Sequence, residues 1–277
     1  MDFSLPSVKS NLHTHSTFCD GVDTPEEMVK AAIGFGMETL GFSGHSYTSF
    51  DSSYCMSLEK TEEYRREVNR LRDLYHDKIH ILCGIERDFY AEYPERPFDY
   101  EIGSVHYVLL GGEYCVVDSG RDKLVDAVKN HCGGNIYQYV REYYRTVARL
   151  AERIDKCDIV GHFDLVTKYN EDGSLLDTED PRYRRSAFEA LDALLEKGML
   201  LEVNTGAIAR GYRKNPYPEL SLLRYVAQKG GRVTLNSDCH NSRHLLCAFP
   251  AALEGLKYVG FRSVCVMTRT GWKECPL

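Results

Sequence analysis

Short runs of aliphatic and β-branched residues alternate along the chain with longer stretches whose apolar positions recur at helical spacing. The short runs fall at 10–13, 39–43, 80–85, 101–105, 158–161, 200–204, 232–236 and 263–267. Strands separated by helix-length segments need crossover connections, so the pattern predicts parallel β-structure with helices packed outside it. The helical stretches carry their own boundary signals. Thr24-Pro25-Glu26-Glu27 offers a capping hydroxyl, a first-turn proline and a glutamate that reaches back, which predicts a helix stopping near Gly34 or Gly36. A highly charged helix is expected from Ser57 to about Tyr75, and another over 136–154 with its apolar residues on one face. The stretches 183–197 and 218–229 each run into a glycine, as helix ends do. No internal repeat, low-complexity tract or Pro/Ser/Gly-rich linker interrupts the alternation, so one domain over 1–277 is expected.

Polar residues that such a core would not need fall at the ends of these runs. His13 and His15 close the first, in Asn11-Leu12-His13-Thr14-His15, and His45 follows Gly41-Phe42-Ser43-Gly44. Glu86 follows Leu82-Cys83-Gly84-Ile85, His106 follows Gly103-Ser104-Val105, and His162 follows Val160-Gly161. Asp238 and His240 close the series in Asn236-Ser237-Asp238-Cys239-His240. In a parallel α/β barrel the C-terminal strand ends form one face, which is where active sites sit. Two residues apart on an extended strand, His13 and His15 project from the same side and can grip one ion, and Asp238 with His240 repeats the arrangement. A lone pair of this kind is commonly a core or surface feature. Recurrence at successive strand ends is different, because imidazoles and carboxylates crowded together without a cation would strand polar groups and set like charges against each other. Asp20 by itself reads as the first residue of an Asp-Gly turn.

The whole order is H-x-H, Asp20-Gly21, then histidine, glutamate, histidine, histidine and D-x-H. It resembles the PHP superfamily, named for polymerase and histidinol phosphatase, from Asn11 through His240. The resemblance implies an α/β fold, an irregular (β/α)7 barrel with up to three metal ions in its mouth. By that likeness His13, His15, Glu86 and Asp238 hold the first ion. Glu86 bridges to a second held also by His106 and His162, and Asp20, His45 and His240 hold the third. Two to three divalent ions are implied, with zinc, iron and manganese all suited to mixed imidazole and carboxylate ligands. The implied chemistry is phosphoester hydrolysis, in which the cations acidify water and stabilise phosphate charge, so Glu86, Asp238 and His240 would serve catalysis.

Gly161-His162-Phe163-Asp164-Leu165 and Leu201-Glu202-Val203-Asn204-Thr205-Gly206 resemble the histidinol-phosphatase branch. That implies conversion of L-histidinol phosphate to L-histidinol and phosphate in histidine biosynthesis. Lys168, Arg210 and Arg213 follow late strands and are candidates for holding the phosphate, arginine being apt because its planar fork donates two parallel hydrogen bonds. The segment 206–213 departs from the branch's compact Thr-x-Gly-hydrophobic-Arg pattern, which leaves the choice among the three open.

Composition narrows the partners. A formal net charge of −7, with no basic cluster interleaved with aromatics, argues against nucleic acid and leaves room for a small anionic substrate where positive charge is local, which agrees with the small phosphorylated substrate that the resemblance implies. No stretch approaches ~18 apolar residues, and Met1-Asp2-Phe3-Ser4-Leu5-Pro6 lacks a charged start before a hydrophobic run, so a cytoplasmic protein without a membrane span or signal peptide is expected. The ten cysteines are scattered singly and read as reduced thiols, with Cys19, Cys83 and Cys239 packing beside the motifs. His76, His80, His131 and His244 are assigned to structure, and Tyr137, Tyr139, Tyr143 and Tyr144 to helix packing, with room for one of them at the pocket. An amidohydrolase-type hydrolase also begins with H-x-H, but Glu86 stands where its bridging lysine is expected and Asp20 with His240 would be surplus. A nuclease or proofreading module would share the ligands yet need a basic groove, and a metal-stabilised binding protein would show no turnover.

Overall fold

The computed structural model describes residues 8–91, 98–153 and 157–277. The opening hexapeptide and the end of the helix expected over 136–154 lie outside the described residues. The first part of the chain runs β1 (Ser10–Asn11), α1 (Pro25–Gly34), β2 (Thr39–Phe42), α2 (Leu58–Leu74), β3 (His80–Cys83), β4 (Ile85–Asp88) and β5 (Glu101–Ser104). A hairpin of β6 (Tyr107–Leu110) and β7 (Glu113–Val116) follows, then α3 (Arg121–Cys132), α4 (Ile136–Ala148), α5 (Leu150–Arg153) and β8 (Ile159–Val160). The last part is α6 (Pro181–Glu196), β9 (Leu200–Asn204), α7 (Gly206–Ala209), α8 (Leu220–Gln228), β10 (Val233–Asn236), α9 (Phe249–Val259), β11 (Ser263–Thr268) and β12 (Gly271–Pro276).

The eight expected strand runs all carry strand, and their pairing is parallel as the crossovers require. One sheet has the order β1-β2-β3 and the other β12-β11-β10-β9-β8-β5-β4, parallel throughout except for β12 against β11. Isolated parallel bridges between Thr14 and Cys239 and between His45 and Glu86 tie the two sheets together. No hydrogen-bonded ladder closes all the way round among the described residues, so the barrel is irregular. The run expected over 80–85 is two strands, because the backbone breaks at Gly84. A Cβ there would lie 2.3 Å from the Tyr100 ring, whose hydroxyl donates to the Leu12 and Phe42 carbonyls across the barrel floor.

The expected capping box of α1 is present: Thr24 accepts from the Glu27 amide at 3.3 Å, and the Glu27 carboxylate accepts from the Thr24 amide at 2.8 Å. Ser57 caps α2 by accepting from Lys60 N. The helix expected over 136–154 is divided at Arg149 into α4 and α5. Helix α4 buries Tyr139, Val140, Tyr143, Tyr144 and Val147 against α6, which buries Tyr183, Ala187, Leu191 and Leu194. The sequence reading passed over the hairpin, α3, α7, α9 and β12. The hairpin had a signal: Gly111 and Gly112 both take positive φ (60° and 87°), the backbone a two-residue turn between twisted strands demands.

Gly84→Ala should destabilise the protein by about 1–3 kcal/mol, seen as a lower denaturation midpoint at unchanged slope. The penalty should shrink when Tyr100 is truncated to alanine, because the ring is what the new methyl strikes. Additive losses in the double variant would show that the close approach of Gly84 and Tyr100 is not the constraint.

Candidate metal centre

The strand ends are held open by side chains that take over from the ladder. Leu12 N donates to Asn236 Oδ1 at 2.8 Å, Asn11 Nδ2 donates to Ser237 Oγ at 2.6 Å, and Thr14 N donates to Ser43 Oγ at 3.0 Å. The rings of His13 and His15 consequently leave on one side of the chain, with centroids 5.2 Å apart. Gly21 allows the chain to fold back tightly, since a Cβ there would stand 2.5 Å from Ser16 N, and the fold-back carries Asp20 to within 3.1 Å of His240 Nε2. Asp238 is itself strained, at φ 47°, a left-handed conformation costly for a residue with a Cβ.

Glu86 lies at the middle and is 1% exposed. Its Oε2 is 3.2 Å from His13 Nε2, 3.4 Å from His15 Nε2 and 3.0 Å from His45 Nδ1. The other oxygen, Oε1, is 2.8 Å from His162 Nε2 and 3.4 Å from His106 Nε2, and accepts from Ser104 Oγ at 2.6 Å. Asp238 Oδ1 stands 3.3 Å from His15 Nε2 and 3.6 Å from His13 Nε2. The structure thus brings all nine histidines and carboxylates named from the sequence into one cluster. Four sets within it offer donor atoms that all lie within 4.8 Å of one another: His15, Asp20, His45 and His240; His13, His15 and Asp238; His13, Glu86 and His162; and His45, Glu86 and His106. Two of these follow the partition implied by the resemblance, with His15 added to the set around Asp20. His106 and His162 are divided between two sets because Glu86 touches histidines with both oxygens.

Charge and burial make the cluster a poor arrangement for protons alone. Burial would raise the Glu86 carboxyl, but the charges of His13, His45 and His106 hold it well below the usual carboxylate range. Burial also pulls down the His13 imidazole, and Glu202, Glu86 and Asp238 more than reverse it, whereas burial with His240 and His45 alongside pushes His15 down to about 3. His13 Nε2, His15 Nε2 and Glu86 Oε2 are buried without any hydrogen-bond partner. Unpartnered, desolvated donor atoms facing one another are what a cation satisfies, so the residues fit divalent metal ions.

Supporting contacts orient the ligands, and the sequence reading missed the main one. Glu202, 0% exposed in the middle of β9, accepts from His13 Nδ1 at 2.7 Å and from the His162 amide at 2.9 Å. It also accepts from the amide groups of Asn204 and Asn236. Its signal was a carboxylate between Leu201 and Val203 inside a buried strand. Asp88, likewise unremarked, accepts from the His106 amide at 2.8 Å and lies 3.3 Å from His106 Nδ1.

A pocket of about 360 Å³ opens over the cluster and is lined by Asp20, His45, Glu86, His106, His162, Asp238 and His240 on its metal-facing side. Arg210 and Lys168 line it too. Arg210 donates to Asp238 Oδ2 at 3.1 Å and its other terminal nitrogen is 2.9 Å from His240 Nδ1, so its charge sits at the edge of the cluster. Lys168 is 3.1 Å from Asp118 Oδ2. Arg213 is not at this mouth: it donates to Thr167 Oγ1, lies 3.5 Å from Asp164 Oδ2, and lines a separate cavity. The pull of the wholly buried Asp164 turns it away from the metal-facing side. The tyrosines of the mouth are Tyr54, Tyr107 and Tyr212, whereas Tyr139, Tyr143 and Tyr144 are core. Cys83 and Cys239 are buried free thiols, and Cys19 Sγ lies 3.5 Å from His15 Nδ1. His76, His80, His131 and His244 belong to none of the metal-holding sets.

A parallel α/β fold with imidazoles and carboxylates gathered at its C-terminal strand ends defines a metal-binding domain of the barrel-hydrolase kind. The chain belongs to the PHP domain family, whose profile matches residues 11–206. It is 30% identical over 266 residues to a probable histidinol-phosphatase of Deinococcus radiodurans, covering 91% of this chain and 94% of that one. A histidinol-phosphatase of Lactococcus lactis is 28% identical over 268 residues, covering 92% and 93%. The fold is similar to that of a solved histidinol phosphate phosphatase from Lactococcus lactis complexed with zinc, L-histidinol and phosphate, with a TM-score of 0.73 and 24% identity over 96% of this chain and 98% of that one. No helix among the described residues is long and apolar enough to cross a membrane.

Glu202→Gln should keep the fold and weaken metal retention roughly 10–100-fold in chelator competition, because the carboxylate fixes the His13 ring through Nδ1. Unchanged retention would show that His13 does not depend on this contact.

Proposed function

We propose that this chain, as one PHP-type domain over 1–277, is a metal-dependent phosphomonoesterase that hydrolyses L-histidinol phosphate to L-histidinol and phosphate. The observation that carries the substrate is end-to-end similarity to chains named histidinol-phosphatase. The fit of the cluster to metal ions carries the chemistry. Two to three divalent ions, drawn from zinc, iron and manganese, are assigned to three groups. His13, His15, Glu86 and Asp238 form the first, Glu86, His106 and His162 the second, and Asp20, His45 and His240 the third. Bound ions of this kind supply Lewis-acid stabilisation of phosphate charge and a water nucleophile strengthened at neutral pH.

The chain's own residues set the geometry. Glu86 presents an oxygen to each half of the cluster, and Glu202 keeps His13 in the tautomer that turns Nε2 toward Glu86. Asp238 and His240 hold Arg210 at the rim, where its guanidinium faces the entering phosphate alongside Lys168. Arg213 is left out of phosphate binding, since its charge is spent on Asp164. A small anionic monoester in the cytoplasm suits this mouth better than a nucleic-acid strand, because the basic residues there are few and locally paired.

Four results test the reading. Histidinol phosphate should be turned over with a kcat/KM at least about tenfold above that for sugar phosphates or single-stranded DNA, and Arg210→Ala should lose roughly tenfold or more while retaining metal. Preference for sugar phosphates or oligonucleotides would leave the metal centre standing and remove the assignment to histidine synthesis. Elemental analysis of gently purified protein should give about two to three metal equivalents per chain, and one equivalent after reconstitution would exclude a polynuclear centre. Glu86→Gln should reduce kcat far more than His240→Ala, since Glu86 meets histidines with both of its oxygens; small, equal losses would mean that it does not bridge.

A further inference from the structure

One part of the pocket wall has a different chemistry from the metal-facing side. Asp51 lines it, in the loop between β2 and α2, together with Tyr54 and Tyr107. The Asp51 carboxylate is held in place: Oδ2 accepts from Tyr107 Oη at 2.7 Å, and Oδ1 accepts from Ser53 N at 3.1 Å and Ser53 Oγ at 2.6 Å. Its neighbour Phe50 anchors the loop, stacked on Tyr114 of the hairpin with centroids 3.7 Å apart and edge-on to Tyr107 at 4.9 Å. Among the described residues no lysine, arginine or histidine nitrogen is within ion-pair distance of Asp51, whereas Asp118 in the same pocket is matched by Lys168. Tyr54 spans the gap, with its ring 4.8 Å from His45 at the cluster and 6.3 Å from Tyr107 beside Asp51. The Lys123 charge acts on Asp51 from beyond ion-pair distance, its ammonium donating to Ser119 Oγ instead. A fixed carboxylate with no cation in direct contact, reached over two tyrosine rings from the site of chemistry, is the composition that recognises an organic cation.

From this placement we infer that Asp51, with Tyr54 and Tyr107, is the specificity-determining subsite for the positively charged end of the substrate alcohol, an ammonium or imidazolium group. This rests on the phosphomonoesterase reading and adds a named residue to it. A phosphate held at Arg210 and the cluster leaves the alcohol to extend along Tyr54 and Tyr107, and the ion pair with Asp51 then discriminates cationic alcohols from neutral ones. Asp51 touches neither the phosphate nor the cluster, so its contribution falls on KM.

The test compares the wild type with Asp51→Asn, which keeps an oxygen for Tyr107 and removes the charge. Substrates are histidinol phosphate, phosphoethanolamine and p-nitrophenyl phosphate, the last with no positive charge on its leaving group. The ratio of kcat/KM for histidinol phosphate over that for p-nitrophenyl phosphate should fall roughly tenfold or more, mostly through KM. Asp51→Lys should lower it further, with melting temperature and metal content confirming that both variants are folded and loaded. An unchanged ratio, whether both substrates suffer equally or neither does, overturns the inference even if the wild type proves to be a histidinol phosphatase. If the wild type fails on histidinol phosphate but prefers phosphoethanolamine to p-nitrophenyl phosphate, and Asp51→Asn abolishes that preference, the subsite stands and only the named substrate falls. A wild type without any preference for cationic alcohols overturns the subsite.

Discussion

Glu86 is a carboxylate sealed inside the protein and surrounded by imidazoles, and the rest of the structure is arranged around the need to keep it charged. An isolated buried carboxylate would take up a proton, since the desolvation cost of the ion far exceeds that of the acid. Here five histidine nitrogens lie within 3.4 Å of its two oxygens, and Ser104 donates to one of them. These contacts make the anion the stable form, but they cannot satisfy it fully, because Oε2 still lacks a hydrogen-bond donor. Divalent cations would complete the arrangement by taking the place of protons on the imidazoles facing it, which would couple metal loading to the state of the cluster.

Two buried carboxylates extend the constraint in opposite directions. Glu202 acts on the cluster from behind, accepting from His13 Nδ1 and His162 N and thereby turning both residues toward Glu86. Asp164, two residues after His162, faces away, where it accepts from Glu219 N at 3.0 Å and pairs with Arg213. That pair pins the turn after β8 to the loop after α7, and those two segments bring Lys168 and Arg210 to the pocket mouth. Arg213 therefore governs the site by shaping its rim, even though its own charge never reaches it.

Strand positions and metal-facing residues were legible in the sequence because both rest on local rules: short apolar, β-rich runs between helical stretches, and histidines or carboxylates just beyond their ends. His13 with His15 and Asp238 with His240 could be placed on common faces from spacing alone, and family likeness added Asp20, which an Asp-Gly turn had concealed. Residues whose role depends on a distant partner were not legible. Nothing near Arg213 in sequence announces Asp164 as its sink, and nothing near Asp51 shows that Tyr107, fifty-six positions on, will donate to it. Glu202 falls between these cases: a lone carboxylate in a buried strand demands partners, but only the fold says that the partners are His13 and His162. Helices α3 and α9 lack a capping signal at their start, since neither Gly120 nor Ala248 before them offers a capping side chain.

The irregularity of the barrel and the existence of the centre are one fact. Strand β1 ends at Asn11 and β8 at Val160, each two residues before a histidine of the cluster, and beyond them the ladder between the sheets is reduced, among the described residues, to isolated bridges at Thr14–Cys239 and His45–Glu86. A full ladder there would hold the backbone in a pleat whose spacing is set by neighbouring strands, while the cluster needs rings converging on a single point. Backbone groups released from the ladder must still be paired, since a buried amide left without an acceptor costs about 1–3 kcal/mol. Side chains provide the acceptors: Asn236 for Leu12 N, Ser43 for Thr14 N, Asp88 for His106 N, Glu202 for His162 N and Asn204 for Gly206 N. These polar residues sit where a regular barrel would carry aliphatic ones, and they do two things together, satisfying the opened backbone and fixing the direction in which each ligand leaves it. A closed, regular ladder at this face would leave the histidines with nowhere to converge.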